Sequence, residues 1–228
     1  MTKISFCGIS GSGMSALAQI RLHQGYEVRG SDRSFDQGKD QSNKQALEKL
    51  GIKIYPQDGS AITDDLDVLY VSTAVEDTIP DVKAALGKNI PIRKRSDLLA
   101  DIFHGYGHNI AVGGTSGKTT VTAMIGYILD RLGQKPCMID GGLLLNYADR
   151  EGIPNIIYNE GDICVIEADE SDGSIEKYHP YVALINNISI DHKPIPELQK
   201  LFQDFADRAK QGVVVNACLL YTSPSPRD

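Results

Sequence analysis

The chain has 228 residues, of which 41% are hydrophobic and 23% charged; this composition is typical of globular domains and excludes disordered, coiled-coil and collagen-like chains. Its length allows one large domain or two ordinary ones. No apolar run reaches the roughly 18 residues of a membrane-spanning helix, so we expect no membrane insertion. The net charge is −7 and the basic cluster Arg93-Lys94-Arg95 is short, which argues against nucleic acid as a partner.

The first third of the chain alternates short apolar segments with segments of helical spacing, a pattern that predicts βαβ units around a parallel sheet. The predicted strands are Lys3–Cys7, Glu27–Gly30, Lys53–Tyr55, Leu66–Ser72 and Ile90–Ile92. The predicted helices are Ser15–Gln24, Gln41–Leu50, Ile79–Leu86 and Asp97–Phe103. We therefore expect a Rossmann-like domain over residues 1–105.

A Gly-rich, aperiodic stretch at 104–108 predicts a domain boundary, and a second α/β alternation follows it. The predicted strands here are Asn109–Val112, Ile163–Glu167, Val182–Asn186 and Gly212–Val215, and the predicted helices are Thr119–Leu132 and Ile195–Gln211. We expect residues 106–216 to form a P-loop ATPase α/β domain, incomplete because its strand pattern stops in mid-course. The Pro-rich residues 217–228 are predicted to be a non-native tail.

A phosphate-binding loop is the strongest signal in the chain. Strand Asn109–Val112 leads into GTSGKTT and then into a helix, which is the context that such a loop requires. Glycines allow successive backbone N–H groups to point inwards, and the helix N-terminus adds partial positive charge. Lys118 is predicted to neutralise the outer phosphates and Thr119 to hold magnesium. The alternative is a structural turn with a capping threonine, since Val112 stands where the longer pattern has glycine.

Polar residues follow two further strands. Strand Ile163–Glu167 runs into an acidic stretch that ends at Asp172, and the next strand runs into Asn187 and, five residues on, His192. Ligands gather outside the carboxyl ends of parallel strands, so Glu167 is predicted to face the phosphate loop and bind magnesium. A solvated acidic turn is the alternative. A lone histidine is more often structural, but its position after a strand makes His192 a candidate.

A second Gly-rich turn follows the first strand, with Gly8, Gly11 and Gly13 in it and Asp32 nineteen positions further on. This spacing fits an NAD-binding Rossmann turn, in which Asp32 holds a ribose hydroxyl, although Ser10 replaces one glycine of that fingerprint. The same turn can cradle the diphosphate of a nucleotide sugar. The phosphate loop favours the nucleotide sugar, because a dehydrogenase has no use for such a loop.

Three runs in fixed order, GTSGKTT, EADESDGS and NNISIDH, resemble the ATP-dependent Mur ligases of peptidoglycan synthesis. The turn from Gly8 to Ala16, with Gly30-Ser31-Asp32 and Ser72-Thr73-Ala74, resembles the UDP-binding residues of that family. Within the family, EADESD is most similar to the alanine-adding branch. The resemblance covers residues 3–216.

The start of the chain enters a strand directly and shows no signal-peptide architecture, so we expect a cytoplasmic protein. The resemblance implies a ligase that uses ATP and Mg²⁺ to join an amino acid, L-alanine, to UDP-N-acetylmuramate through an acyl phosphate. Lys118, Glu167 and His192 are the implied catalytic residues, and Thr119, Glu167 and His192 the implied magnesium ligands. The implied ATP-binding residues are Gly114, Thr115, Ser116, Gly117, Lys118, Thr119, Thr120 and Asn187. The implied UDP-sugar-binding residues are Gly8, Ser10, Gly11, Ser12, Gly13, Met14, Ser15, Asp32, Ser72 and Thr73. A third, C-terminal domain is expected in the full-length protein, so we expect this chain alone to be inactive.

Two alternatives stay open. Ser116 stands where the alanine-adding enzymes usually have histidine, and Lys193-Pro194 replaces the usual residues after His192. These departures are compatible with a related ligase that adds a different amino acid or a peptide. The other alternative, from a different class, is a protein that binds and slowly hydrolyses nucleotide, or only binds it, without ligation.

Overall fold

The computed structural model describes residues 1–72, 76–189 and 194–216. By its contacts the chain divides into two compact units. The first is Met1–Leu99 with Gly141–Ile156, and the second is Ala100–Asp140 with the described part of Ile157–Asp228. The segment Gly141–Ile156 therefore packs in the first unit, although it lies inside the sequence range predicted for the second domain. The predicted tail, 217–228, lies outside the described residues.

The first unit is built on a parallel sheet whose strand order is β3-β2-β1-β4-β5. Its strands are β1 (Lys3–Cys7), β2 (Glu27–Ser31), β3 (Lys53–Tyr55), β4 (Val68–Val71) and β5 (Ile92–Lys94). Its helices are α1 (Ser12–His23), α2 (Arg33–Asp36), α3 (Gln41–Leu50) and α4 (Pro80–Gly87), and α5 (Arg95–His104) leads on into the second unit. The chain order reverses at β1, so the turn after β1 lies at a topological switch point, where open α/β sheets bind ligands.

The core of the first unit explains why this turn is held in place. Ile4, Phe6 and Cys7 of β1 are fully or almost fully buried. Ile9, in the turn itself, is also fully buried. A Cβ atom at Gly30 of β2 would lie 2.4 Å from Ile9 Cδ1. Glycine in β2 therefore allows the turn to pack directly on the sheet.

The second unit is built on a sheet with the strand order β11-β10-β6-β9-β7-β8. Its strands are β6 (His108–Gly113), β7 (Cys137–Ile139), β8 (Ile156–Ile157, at the junction of the units), β9 (Ile163–Glu167), β10 (Val182–Ile185) and β11 (Gly212–Val215). Its helices are α6 (Lys118–Arg131) and α7 (Ile195–Asp207). Strand β6 pairs in parallel with both β9 and β10. The carboxyl ends of these three strands consequently lie side by side.

The predicted fold class, a Rossmann-like parallel-sheet α/β unit followed by a second α/β unit, is confirmed, but several boundaries differ. Helix α1 begins at Ser12, three residues earlier than predicted, and β5 begins two residues later. Helix α7 ends at Asp207 and not at Gln211, because the Lys210 and Gln211 N–H groups donate to the backbone carbonyls of Pro180 and Tyr181 and lead the chain into β11. Strands β7 and β8 were not predicted, since runs of three and two residues are too short to show a period.

No helix in the described part of the chain is both long and apolar enough to cross a bilayer.

Candidate functional site

The phosphate loop connects β6 to α6 and requires two of its glycines. Gly114 and Gly117 have φ values of +139° and +77°, and residues other than glycine rarely adopt such angles. A Cβ at Gly114 would lie 3.1 Å from the backbone N of Asn187, and one at Gly117 would lie 2.8 Å from Asn186 Nδ2. The loop therefore lies tightly against the residues that follow β10.

Asn187 holds the loop from the side. Its Oδ1 accepts hydrogen bonds from Thr115 Oγ1 (2.8 Å) and Ser116 N (2.9 Å), and its Nδ2 donates to the Ser116 carbonyl (2.8 Å). Asn186 Nδ2 donates to the same carbonyl (3.0 Å), and Ser189 N donates to Thr115 Oγ1 (3.0 Å). In this structure the Asn187 side chain shapes the loop, and its predicted contact with ATP stays a prediction.

The Lys118 ammonium lies at the loop with a carboxylate partner. Nζ donates to the Gly114 carbonyl and to Glu170 Oε2, both at 2.8 Å. The side chains of Lys118 and Glu170 are 15% and 4% exposed, so the ion pair is largely withdrawn from water. An ammonium has three N–H donors. The one that neither contact uses can donate to a phosphate oxygen.

Thr119, in the first turn of α6, contacts Glu167, the last residue of β9. Thr119 Oγ1 donates to Glu167 Oε2 at 3.0 Å, and Glu167 lies in register with Val112, next to the loop. A hydroxyl and a carboxylate oxygen are ligands that suit Mg²⁺. Within 1–72, 76–189 and 194–216 no group of three or more His, Cys, Asp or Glu residues could hold a metal. His192, the third predicted ligand, lies outside the described residues.

The start of α6 is open to an anion. Gly117 is the N-cap residue, and it makes no side-chain cap hydrogen bond. The N-cap position is held by Gly117 and not by a threonine, and Thr119, inside α6, donates to Glu167, which argues against a merely structural turn with a capping threonine. Uncapped N–H groups at a helix start attract phosphate. Gly114 and Thr115 are buried, and Ser116, Gly117, Thr119 and Thr120 are exposed.

The turn after β1 is held by the backbone and by Asp32. Gly8 has a φ of +87°, and the N–H groups of Gly8 and Ile9 donate to the Ser31 carbonyl at 2.9 and 3.1 Å. Asp32 Oδ2 accepts from Ser10 N, and Oδ1 accepts from Ser34 N at the start of α2, both at 2.8 Å. Asp32 therefore joins the turn to the end of β2.

The other residues predicted for the nucleotide sugar differ in what they can offer. Helix α1 begins at Ser12, next to an N-cap glycine, Gly11, with no side-chain cap. Met14 and Ser15 are each 1% exposed as whole residues, and the Ser15 N–H group donates to the Gly11 carbonyl, so contact of these two residues with a ligand stays a prediction. Gly13 lies against a guanidinium, since a Cβ there would be 3.0 Å from Arg95 Nη1. Ser72 follows β4 directly, and Thr73 lies outside the described residues.

Sequence reasoning missed four residues that the structure places at these two turns: Glu170, Asn186, Ser189 and Arg95. Glu170 was visible as part of the acidic run, but the run alone does not tell which acid faces the lysine. Asn186 and Ser189 were visible as members of the run NNISIDH, but the run does not tell which loop atoms they contact. Arg95 was visible only as part of the short basic cluster, and nothing in its local sequence marks Gly13 as its neighbour.

The fold and the loop around Lys118 define an α/β protein of the P-loop nucleotide-binding class. The Mur ligase family, catalytic domain, matches residues 3–106, and the Mur ligase middle domain matches residues 112–195. The chain belongs to the Mur ligase family, and the predicted resemblance is confirmed.

Individual relatives agree with the family. The chain is 37% identical over 206 residues to the UDP-N-acetylmuramate–L-alanine ligase of Caulobacter vibrioides, covering 89% of this chain and 41% of the relative. It is 35% identical over 226 residues to the same-named ligase of Rubrobacter xylanophilus, covering 99% and 48%. The chain thus spans less than half the length of these two relatives.

Solved structures give the same result. The UDP-N-acetylmuramate–alanine ligase of Thermotoga maritima matches with a TM-score of 0.82 at 29% identity, over 95% of this chain and 49% of that one. The UDP-N-acetylmuramate:L-alanyl-γ-D-glutamyl-meso-diaminopimelate ligase of Neisseria meningitidis matches with a TM-score of 0.78 at 27% identity, over 95% and 72%.

Proposed function

We propose that the protein of which this chain forms part is an ATP-dependent ligase that joins L-alanine to the carboxylate of UDP-N-acetylmuramate. The observation that carries the proposal is the cluster at the carboxyl ends of β6, β9 and β10. There an ammonium, a hydroxyl–carboxylate pair and the N–H groups at the start of α6, a helix whose N-cap residue is a glycine, surround one glycine loop. The same-named relatives support the choice of substrates.

The residues of the cluster suit phosphoryl transfer, which depends on positioning and charge neutralisation more than on covalent help. Lys118 and the start of α6 bind the phosphates of ATP. Thr119 and Glu167 hold Mg²⁺, and His192 is proposed as a further ligand. Bound Mg²⁺ supplies charge neutralisation on the phosphate oxygens.

The proposed reaction has two balanced steps. A carboxylate oxygen of the sugar nucleotide attacks the γ-phosphorus of ATP, and ADP leaves, which gives an acyl phosphate. The amino nitrogen of alanine then attacks the acyl carbon, inorganic phosphate leaves, and the nitrogen loses a proton to solvent. In the first unit, we assign the diphosphate of the sugar nucleotide to the turn from Gly8 to Ser15 and the start of α1.

One other substrate pairing is supported by a specific observation. The Neisseria enzyme, whose name specifies a tripeptide, matches nearly all of this chain with a TM-score of 0.78. The second candidate is therefore a ligase that adds a peptide to the same sugar nucleotide. For either enzyme we propose the cytoplasm, where ATP is present.

The test uses the complete protein and a Lys118→Ala variant. Removing the ammonium is expected to lower ligase turnover about 100- to 1,000-fold, because one stabilising donor at a developing charge contributes that much. Titration calorimetry should show weakened ATP–Mg²⁺ binding and unchanged UDP-N-acetylmuramate binding, since Lys118 belongs to the second unit and the β1 turn to the first. Lys200→Ala, which removes an exposed lysine of α7, serves as the control.

Product analysis distinguishes the candidates. Wild-type protein supplied with ATP, Mg²⁺ and UDP-N-acetylmuramate should release phosphate when L-alanine is added. Release only with the tripeptide L-alanyl-γ-D-glutamyl-meso-diaminopimelate favours the second candidate. Nucleotide hydrolysis that no amine stimulates, in a folded protein, contradicts the ligase proposal and favours a nucleotide-binding protein.

A further inference from the structure

A buried polar network joins the segment Gly141–Ile156 to helix α1, within the first unit. Asn155 is 0% exposed and Gln19 is 1% exposed. Asn155 Nδ2 donates to the Ser12 carbonyl (2.8 Å) and to Ser15 Oγ (3.1 Å), and its Oδ1 accepts from Gln19 Nε2 (3.0 Å). Gln19 Oε1 in turn accepts from the backbone N of Ile153 (2.9 Å).

This network satisfies every polar atom of both amide side chains. Buried amides are expensive to leave without partners, so a fully bonded pair has a defined orientation. A glycine makes the approach possible: a Cβ at Gly152 would lie 2.3 Å from Gln19 Oε1, and Gly152 has a φ of +92°. The segment is therefore fitted to α1 by its backbone as well as by its side chains.

The contacts of Asn155 fall on the first turn of α1. Ser12 and Ser15 both belong to the turn from Gly8 to Ser15, and the N-cap glycine has no side-chain cap. The Gly8, Ile9, Ser10, Gly11 and Ser15 N–H groups donate within the protein, so the N–H groups that we assign to the diphosphate are those of Ser12 and Gly13 at the start of α1. The Ser12 carbonyl and the Gly13 N–H group lie in one rigid peptide plane, so a shift of the carbonyl changes the direction of that N–H group. The hydrogen-bond partners of the carbonyl therefore help to set this direction.

We propose that Asn155, oriented by Gln19, is a positioning residue for the nucleotide-sugar turn. It does not contact the ligand; it holds the first turn of α1 so that the backbone N–H groups point at the diphosphate. This inference rests on the proposed function of that turn. It assigns part of the nucleotide-sugar site to a segment that lies, in sequence, between β7 and β9 of the second unit.

The experiment compares affinities in the complete protein for UDP-N-acetylmuramate and for ATP–Mg²⁺. Asn155→Ala is expected to raise the Kd for the sugar nucleotide about tenfold, because misplacing preorganised donors is costly, while the Kd for ATP–Mg²⁺ stays within about twofold. Gln19→Met keeps the side-chain volume and removes the orienting bond; it should raise the sugar-nucleotide Kd about threefold or more. If the Asn155→Ala protein fails to fold, the sugar-nucleotide Kd of the Gln19→Met protein still tests the proposal.

Asn109→Ala is the matched control. Asn109 is a 3% exposed asparagine of the second unit whose Nδ2 also donates to two carbonyl oxygens and whose Oδ1 accepts from Tyr181 N. It should cost similar thermal stability and leave the sugar-nucleotide Kd unchanged, which separates positioning from general destabilisation.

The outcomes are distinct. If folded Asn155→Ala and Gln19→Met proteins bind the sugar nucleotide as wild type does, or if both ligands weaken equally, the positioning role is overturned and the proposed function stands. If wild-type protein binds no UDP-N-acetylmuramate, the proposed function of the turn itself is overturned, and the inference with it.

Discussion

At the residue scale, the charge of Lys118 in the phosphate loop is balanced by Glu170. Glu170 is buried and its carboxylate lies 2.8 Å from the ammonium. When no phosphate is bound, each of these two charges therefore compensates the other. A triphosphate brings negative charge to the same ammonium. We therefore expect that a bound nucleotide can replace the Glu170 carboxylate as the negative charge that stabilises the Lys118 ammonium.

Glu170→Gln tests this exchange. Glutamine keeps an oxygen that can accept from Lys118 Nζ but removes the charge, so we expect the nucleotide-free protein to lose about 1–3 kcal/mol of unfolding free energy, since breaking a buried pair leaves one ion behind. Saturating ATP–Mg²⁺ should restore most of the loss, because binding to the folded state adds stability. Thermal unfolding with and without nucleotide measures both values.

Glu176→Gln provides the comparison, since Glu176 is exposed in the nearby 3₁₀ turn Ser174–Lys177. It should unfold as wild type does under both conditions. Equal nucleotide-induced stabilisation of the wild-type and Glu170→Gln proteins would show that Glu170 and phosphate do not exchange.

At the scale of elements, α6 places the loop because it packs closely on β7. Gly126, in the middle of α6, is buried, and a Cβ there would lie 2.6 Å from Met138 Cγ and 2.9 Å from Met138 Cβ. Such close contact brings the helix backbone near the sheet. The position of the α6 N-terminus, and with it the loop, depends on this contact.

Gly126→Ala is expected to destabilise the protein by about 1–3 kcal/mol, because overpacking outweighs the gain in helix propensity. Urea unfolding measures the change. Gly87→Ala, at the end of α4, is the matched control, since a Cβ at Gly87 meets nothing within 4 Å. Its effect should be neutral or slightly stabilising. A Gly126→Ala protein as stable as the Gly87→Ala protein would contradict the close packing.

At the scale of the whole molecule, one buried carboxyl links global stability to pH. Asp81 is 0% exposed; it accepts from Ser31 Oγ and from the backbone N of Gly59 (2.7 Å). Burial raises the pKa of Asp81 above its ordinary 3.8, since ionisation in an apolar interior is unfavourable. The folded state therefore binds the Asp81 proton more tightly than the unfolded state does.

The sign of the pH effect follows from this raised pKa. The Asp81 contribution to stability is present in full below its unfolded pKa and is lost as pH rises through its folded pKa. Asp81→Asn stays neutral; its Oδ1 can accept from Gly59 N while its Nδ2 donates to Ser31 Oγ. Its unfolding free energy should therefore fall less than that of wild type between about pH 4 and pH 7. Urea titrations at the two pH values measure the difference, and parallel losses in both proteins would contradict a raised pKa.

Much of the fold could be predicted from local pattern. The alternation of apolar and helical segments identified most of the strands and helices, and errors at α1 and α7 were confined to their ends. Those ends depend on partners elsewhere: the chain leaves α7 because Lys210 and Gln211 bond to the backbone before β10. The very short β7 and β8 are strands only because neighbours pair with them.

By itself, the sequence determined the parallel α/β class, the two glycine turns, and the order of motifs that indicates a Mur ligase. These features depend on residues close together in the chain, where spacing and glycine content act directly. Only the tertiary structure decided that Lys118 pairs with Glu170, 52 positions further along the chain. It also decided that the Gln19 side chain accepts a hydrogen bond from the backbone of Ile153, 134 positions away, and that both residues lie in the same unit. The physical reason is that such partners are chosen by the packing of the folded chain, which brings together side chains that no local period connects.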